Sequence, residues 1–160
     1  MSNKRELIEL ILADLNRELA ACAQSAKAAH EAATHEESKA EDQHDTRGLE
    51  ASYLAGAQMA RIETLRKMIA QFQRAEFRDF KTTDAVAIGA LVGVVLDGKK
   101  MHYLLVSQGG GVSISHQGKT IQVITPQAPL GDALLDKKLG DVVELEVQNA
   151  VREYEIISVA

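Results

Sequence analysis

The chain has 160 residues, a net charge of −5 and a hydrophobic share of 46%, which is enough apolar material for one ordinary domain or two small ones. This charge argues against a protein that grips nucleic acid with its whole surface, and a single cysteine, Cys22, excludes an intramolecular disulfide or a cysteine-based zinc site. Because the sequence has no signal-peptide apolar run and no apolar stretch of membrane-spanning length, we expect a cytoplasmic protein without a membrane partner.

The first half of the chain has the residue spacing of two paired helices. Asn3 followed by Glu6 indicates a capping box that begins the first helix. Apolar or small residues then recur at alternating steps of four and three, which is typical of a coiled-coil strand. The first series is Ile8, Leu12, Leu15, Leu19, Cys22, Ala26, Ala29 and Ala33, and the second is Gly48, Ala51, Ala55, Gln58, Ile62, Leu65, Ile69 and Phe72. The numbers of facing residues add to 80 or 81 in every pair, so residues 1–76 are predicted to close as one antiparallel coiled-coil hairpin and the chain to be a monomer.

The predicted turn of this hairpin, near Ala40, is acidic. Ser38 with Glu41 offers a second capping box at which the helix restarts. Arms of about 30 residues would be roughly 45 Å long, so the tip, within residues 36–45, is expected to project beyond a small domain. Its charged residues are Glu36, Glu37, Lys39, Glu41, Asp42 and Asp45, with Arg47 just beyond. The lower part of the second arm is basic instead, through Arg61, Arg66, Lys67 and Arg74.

The carboxylates of Asp42 and Asp45 lie three residues apart, on one face of the predicted second helix. Carboxylates are the oxygen ligands that Mg²⁺ prefers, but two of them cannot hold the ion tightly without further ligands. Brought to a site that already holds one Mg²⁺, they could complete the coordination of a second ion and promote hydrolysis. We therefore expect no stably bound metal, no cofactor of its own and no independent enzymatic activity. The alternative is structural, because acids are favoured at a helix N-terminus and keep an exposed turn soluble.

From Asp84 onwards the pattern changes to β-rich runs separated by turns that contain glycine. The runs are VAIGALVGVVLD, KMHYLLVSQ, KTIQVITP, DVVELEV and REYEIISV, and a short helix is predicted over residues 130–138. Residues 109–111, a run of three glycines, are interpreted as a loop because they lack the ending of a phosphate-binding motif. The sequence thus predicts an α+β protein, with a linker at 77–83 and a β-rich domain with one short helix at 84–160.

The segment from Thr125 to Val159, TPQAPLGDALLDKKLGDVVELEV followed by REYEIISV, resembles the C-terminal signature of the GreA/GreB family of transcription elongation factors. The resemblance implies an FKBP-like domain that docks on the largest subunit of bacterial RNA polymerase, at the secondary channel. It also implies a coiled coil whose tip reaches the nascent RNA 3′ end and the Mg²⁺ of the polymerase active site. The residues expected to dock are Pro129, Leu130, Gly131, Lys137, Lys138, Gly140 and Asp141.

The resemblance also assigns roles to the hairpin. Its catalytic tip residues, acting on Mg²⁺ within the complex, would be Asp42 and Asp45 helped by Glu41, with support from Glu37 and Arg47. The basic residues that would contact RNA or polymerase are Arg61, Arg66, Lys67 and Arg74.

The tip departs from the family pattern, and this keeps alternative functions open. Gre factors carry Asp and Glu three residues apart, shortly before an Asn-Ala-Glu-Tyr segment. Here Asp42 and Asp45 lie further from the corresponding segment, which reads Glu-Ala-Ser-Tyr and ends at Tyr53. The first hypothesis is a factor that assists cleavage of backtracked RNA, and the second is a non-cleaving secondary-channel regulator resembling Rnk or DksA. The third is an FKBP-like isomerase or chaperone, whose apolar pocket would have to be built around Tyr103 and Tyr154.

Overall fold

The computed structural model of the chain describes residues 2–39 and 47–160. These residues form two compact units, one made of the chain up to residue 11 together with residues 71–160, and the other of residues 12–70. In chain order the elements are α1 (Ser2–Lys39), α2 (Arg47–Arg74), β1 (Leu91–Leu96), β2 (Lys99–Leu105), β3 (Ser113–His116), β4 (Lys119–Ile124), α3 (Pro129–Leu134), β5 (Val142–Val147) and β6 (Ala150–Val159). The predicted α+β class is confirmed. The predicted linker at 77–83 lies within residues 75–90, which form neither helix nor strand.

The second unit, residues 12–70, pairs α1 with α2 as the apolar spacing predicts. Among the predicted contact positions, Leu15, Ala26, Ala29, Ile62, Leu65 and Ile69 are buried, whereas Leu12, Leu19, Cys22, Ala55 and Gln58 are half-buried. An ion pair between Arg61 Nη2 and Glu18 Oε1, at 2.6 Å, joins the two helices. The numbers of these two residues add to 79, one less than the predicted sum, as expected for side chains that flank the apolar contact. The antiparallel hairpin is therefore confirmed over its described part.

The start of α1 differs from the expected capping box. The helix begins at Ser2, so Asn3 lies inside it rather than at its N-cap. The first turn is held by tertiary contacts instead, because Lys4 Nζ donates a hydrogen bond of 2.7 Å to the backbone oxygen of Arg78 and lies 4.8 Å from the centre of the Phe80 ring. Arg78 stacks on the same ring at 3.9 Å and forms an ion pair of 3.0 Å with Asp84. Contacts distant in sequence thus fix where α1 begins.

Buried Lys4 is the charged group whose ionisation these contacts perturb most visibly. Burial of its ammonium group lowers its pKa to about 8, with Asp79 acting in the opposite direction. A hydrogen bond from the backbone N–H of Lys81, followed by one from Arg78, lowers the pKa of the Asp84 carboxyl. The segment that joins α2 to the sheet therefore contains a well-bonded carboxylate, Asp84, and accepts a hydrogen bond from the buried cation of α1, Lys4.

The six strands form one mixed sheet in the order β3-β4-β2-β1-β6-β5. β2 and β4 run parallel, and every other neighbouring pair is antiparallel. The tight turn between β1 and β2 uses Asp97 and Gly98, both at positive φ, as expected for a two-residue hairpin. A register shift at Gly93 and Val94 interrupts the β1–β6 ladder. This irregularity bends the sheet without changing strand order.

One face of the sheet carries the core of the β domain. Its buried residues are Phe80, Val86, Ala90, Val92, Val94, Tyr103, Leu105, Leu134, Val143, Tyr154, Ile156 and Val159. Leu134 of α3 is fully buried among them, and Leu130 and Leu135 pack against the cluster, so the short helix covers this face. Burial of Tyr103 raises the pKa of its phenol, and the nearby Tyr154 adds to that shift.

Two elements of the β domain differ from the sequence prediction. The helix predicted over 130–138 is shorter, Pro129–Leu134, because Leu135 leaves helical geometry with ψ 139 and Asp136 adopts a positive φ of 62°. The chain then turns back so that Lys137 accepts a hydrogen bond from Val86 N–H. The strand β3 was not predicted, since Ser-Ile-Ser-His offers one apolar residue, and its formation depends on pairing with β4.

Candidate functional site

The carboxylates expected at the hairpin tip fall outside the described structure. Glu41, Asp42 and Asp45 lie in the range 40–46, which is not described. Glu37 and Arg47 lie within the backbone bounds of α1 and α2, but their side chains are not described either. Their roles therefore stay predictions. Among the side chains that the structure describes, no group of three or more potential metal ligands could hold a metal ion.

The basic residues predicted on the second arm fall into two kinds. Arg61 and Lys67 have carboxylate partners, because Arg61 binds Glu18 and Lys67 lies 3.3 Å from Glu63 one helical turn away. Arg66 is exposed and has no ion-pair partner among the described side chains. Exposed pairs of this type contribute little free energy, so a stronger anion could displace either glutamate.

Arg74 differs from these residues in its position on the helix. It is the last residue of α2 and is exposed, with no ion pair among the described side chains. A cation in the last turn is favoured by the negative end of the helix dipole. Its guanidinium group is therefore available to an external anion.

The predicted docking segment begins with α3. Pro129 is the exposed first residue of the helix, where its missing N–H costs nothing. Gly131 is buried, and a Cβ at this position would collide with the backbone oxygen of Thr125. Leu130 is half-buried against the core. Of these three predicted docking residues, Pro129 is exposed to solvent, whereas Leu130 and Gly131 pack α3 against the β domain.

The second part of the docking segment is a tight turn before β5. Lys138 N–H donates to Asp141 Oδ2 at 2.7 Å, and Gly140 N–H donates to the Ile156 oxygen at 2.8 Å, with Gly140 at a φ of 88°. These bonds hold the side chains of Lys137 and Lys138 at an exposed position. Leu139, between them and the glycine, is 42% exposed and was not predicted as a docking residue. The turn therefore presents one apolar side chain beside two cations.

The aromatic residues required by the isomerase alternative do not form an open pocket. Tyr103 and Tyr154 are 4% and 7% exposed and belong to the core cluster. A cleft of about 660 Å³ on the β domain is lined instead by three glycines, by aliphatic residues such as Val112 and Ile124, and by polar residues such as Gln122, with no aromatic side chain. Such a lining lacks the aromatic walls that would shape an apolar proline site.

Comparison with known proteins identifies the family. The family model described as "Transcription elongation factor, GreA/GreB, C-term" matches residues 81–160, half of the chain. The chain belongs to the GreA/GreB family. It is 33% identical over 79 residues to the transcription elongation factor GreA of Clostridium kluyveri, a match that covers 48% of this chain and 45% of that protein. The chain thus spans about half the length of the first curated relatives it matches.

A second relative is described as a transcription inhibitor. The chain is 26% identical over 121 residues to the transcription inhibitor protein Gfh1 of Thermus thermophilus, and this match covers 74% of the chain and 73% of the relative. The crystal structure of Thermus aquaticus Gfh1 matches with 21% identity and a TM-score of 0.41, covering 99% of this chain and 95% of that one.

No helix in the described part of the chain is long and apolar enough to cross a membrane.

Proposed function

We propose that this GreA/GreB-family protein binds bacterial RNA polymerase and acts on transcription elongation from the secondary channel. The observation that carries the proposal is the family match over 81–160, which covers the β domain. The paired helices α1 and α2, which precede the matched range, support it. The β domain would dock on the largest subunit, and the hairpin would carry its acidic end to the active site. Pairing of α1 with α2 within one chain supports a monomer, and the partner implies the cytoplasm.

The proposed docking surface combines the exposed side chains of Pro129, Lys137, Lys138 and Leu139. Their backbone is fixed by the bonds of Gly140 and of the Asp141 carboxylate, so little conformational entropy would be lost on binding. An apolar side chain beside two cations suits a partner surface that offers an apolar depression with acidic neighbours. This arrangement supports docking through the turn before β5 together with the first residue of α3.

The proposed chemistry belongs to the complex. The carboxylates of Asp42 and Asp45, helped by Glu41, would provide oxygen ligands for Mg²⁺ shared with the polymerase active site. Mg²⁺ supplies charge neutralisation and activation of water in phosphodiester hydrolysis. The water oxygen would bond to phosphorus as the bond from phosphorus to the leaving 3′ oxygen breaks, and a proton equivalent to the one lost by the water would end on that 3′ oxygen. The unpaired cations Arg66 and Arg74 support contacts with RNA or polymerase, whereas Arg61 and Lys67 must first exchange their glutamate partners.

The test is the length of RNA in backtracked elongation complexes incubated with saturating protein. The wild-type chain is expected to shorten the RNA from its 3′ end, and Asp42→Asn or Asp45→Asn to reduce that rate by at least about a hundredfold at unchanged polymerase affinity. Asp14→Asn makes the same chemical change on α1, where Asp14 pairs only with Arg17, and should leave cleavage unchanged. Intact RNA at saturating wild-type protein would refute the cleavage role.

A second candidate function is inhibition of transcription without cleavage. It is favoured by the match to Gfh1, which covers 74% of this chain, and by the distance of Asp42 and Asp45 from Tyr53, which differs from the Gre spacing. In this case the same assay would show unshortened RNA while the rate of RNA extension falls. Loss of that effect in the Asp42→Asn variant would assign the inhibition to the tip.

A further inference from the structure

The two strands at one end of the sheet leave an acidic surface uncovered. Val143, Tyr154 and Ile156 point into the core, so the residues that alternate with them point to the opposite face. These alternating residues are all exposed, and we call them the hairpin outer face: Val142, Glu144 and Glu146 of β5 with Val151, Glu153 and Glu155 of β6. Its first residue, Val142, directly follows Asp141 of the turn before β5, whereas the predicted tip is about 100 residues away in sequence.

The strand register brings like charges together on the hairpin outer face. Glu144 lies directly opposite Glu153 across the antiparallel pair. Directly opposed side chains in such a pair are about 5 Å apart at Cβ, and like charges in that position are destabilising. None of the four glutamates has an ion-pair partner among the described side chains. The chain therefore carries a repulsion here that no described residue relieves.

Two valines give the hairpin outer face an apolar component. Val142 lies opposite Glu155 and is 52% exposed, whereas Val151 lies opposite Glu146 and is 65% exposed. Both line a cleft of about 570 Å³, which extends to Val95 and Asp97 of β1 and its turn and to Arg152. Lys100 of β2 lies opposite Val95 in the strand register, on the side of β1 away from β6. The cleft therefore has both apolar and carboxylate groups in its lining.

The other half of the same sheet face is covered. His116 of β3 is 8% exposed, and its Nε2 lies 3.8 Å from Glu6 Oε2 of α1. Ile121 and Leu104, on neighbouring strands, are also buried. The first turns of α1 thus cover β3 and β4 within one compact unit. Nothing in the described part of the chain provides a similar cover for β5 and β6.

We propose that the hairpin outer face binds a basic, partly apolar segment on the surface of RNA polymerase, an inference that rests on the proposed function. Lysine and arginine fit both components of the face, because their methylene stems pack on valine while their charged ends reach carboxylates. Successive outward residues of a strand are about 7 Å apart, which matches alternate residues of an extended segment. The opposed Glu144 and Glu153 would share such cations, and the repulsion between them would be relieved on binding.

The test measures the affinity of the full chain for RNA polymerase by fluorescence anisotropy, at low and high salt. The double variant Glu144→Gln with Glu153→Gln is expected to bind about five- to tenfold more weakly at about 0.1 M salt, with a smaller difference at about 1 M. The matched control, Glu9→Gln with Glu76→Gln, removes the same charge from exposed positions of the same compact unit and should bind like wild type. Thermal unfolding should show the first variant at least as stable as wild type.

A second pair of variants tests the apolar component. Val142→Ser with Val151→Ser keeps every charge and should weaken binding severalfold with an unchanged salt dependence. A photo-crosslinker at position 146 should react with a polymerase segment rich in lysine or arginine. Crosslinking to a second copy of this chain would overturn the inference, as would equal affinities of the glutamine variant and its control. If either of these results were found while the wild-type chain still bound polymerase, the proposed function would stand and only the inference about the hairpin outer face would fall. Failure of the wild-type chain to bind polymerase would refute both the proposed function and this inference.

Discussion

Replacement of Lys4 by methionine should change how stability depends on pH. Lys4 is 5% exposed, and burial lowers the pKa of its ammonium group to about 8 from 10.5. Below about pH 8 the lysine is charged in both the folded and unfolded states, so the cost of burying the charge is present in full. Between about pH 8 and 10.5 the folded state has lost the proton and the unfolded state retains it, so the stability of the wild type rises with pH.

The size of the rise follows from the same pKa. A fall from 10.5 to about 8 corresponds to at most about 3.4 kcal/mol, and screening of a charge near the surface reduces this to about 1–2 kcal/mol. The methionine side chain has no charge to bury, although the substitution removes the hydrogen bond from Nζ to the Arg78 oxygen, worth about 1 kcal/mol. The wild type should therefore gain about 1–2 kcal/mol over Lys4→Met between about pH 7 and pH 10.

The measurement is urea unfolding followed by circular dichroism, with wild type and Lys4→Met compared at each pH. Taking the difference between the two proteins cancels the titration of groups they share. Lys27→Met, at an exposed lysine of α1, is the matched control and should follow the wild-type profile. Parallel profiles for wild type and Lys4→Met would show that the buried ammonium does not set this pH dependence.

Two further substitutions test the packing. Leu65→Ala removes a fully buried side chain from α2 and should lower the free energy of unfolding in urea by about 2–4 kcal/mol. The control Thr64→Ala, at an exposed position, should change that free energy by under about 1 kcal/mol. Equal effects of the two substitutions would contradict the helix pairing. His116→Leu removes a buried Nε2 that has no hydrogen-bond partner among the described residues. The free energy of unfolding at about pH 8 should therefore stay unchanged or rise by about 1 kcal/mol. A clear fall in that free energy would indicate that the nitrogen has a partner.

The helical hairpin could be predicted from sequence because its contacts are local and periodic. Alternating steps of four and three placed Leu15, Ile62 and Ile69 at buried positions, and the ion pair of Arg61 with Glu18 agrees with the predicted register. The same periodicity did not identify Leu7 and Ile11, which are fully buried. These residues belong to the compact unit that contains the sheet, so their burial depends on a partner outside the coiled-coil pattern.

The candidate site was predicted unevenly. Lys137 and Lys138 are exposed, as a docking role requires. Leu139 is also exposed, between these lysines and Gly140, but it was not predicted from the sequence as a docking residue. Gly131 was predicted to dock on the polymerase, but in the structure its lack of a Cβ atom allows α3 to pack closely against the backbone oxygen of Thr125. Sequence spacing cannot distinguish residues that contact a partner from residues that pack α3 against the β domain, because both kinds occur in the same short segment.

Spacing along the chain was enough to predict the helical hairpin, five of the six strands and the family signature of residues 125–159. Each of these depends on spacing along the chain, and spacing is preserved when a segment becomes a helix or strand. Only the tertiary structure decided that β3 forms, that α3 ends at Leu134 and that Glu144 faces Glu153. Strand pairing and helix endings depend on backbone hydrogen bonds to distant residues, and no pattern within the segment itself specifies which partner those bonds will find.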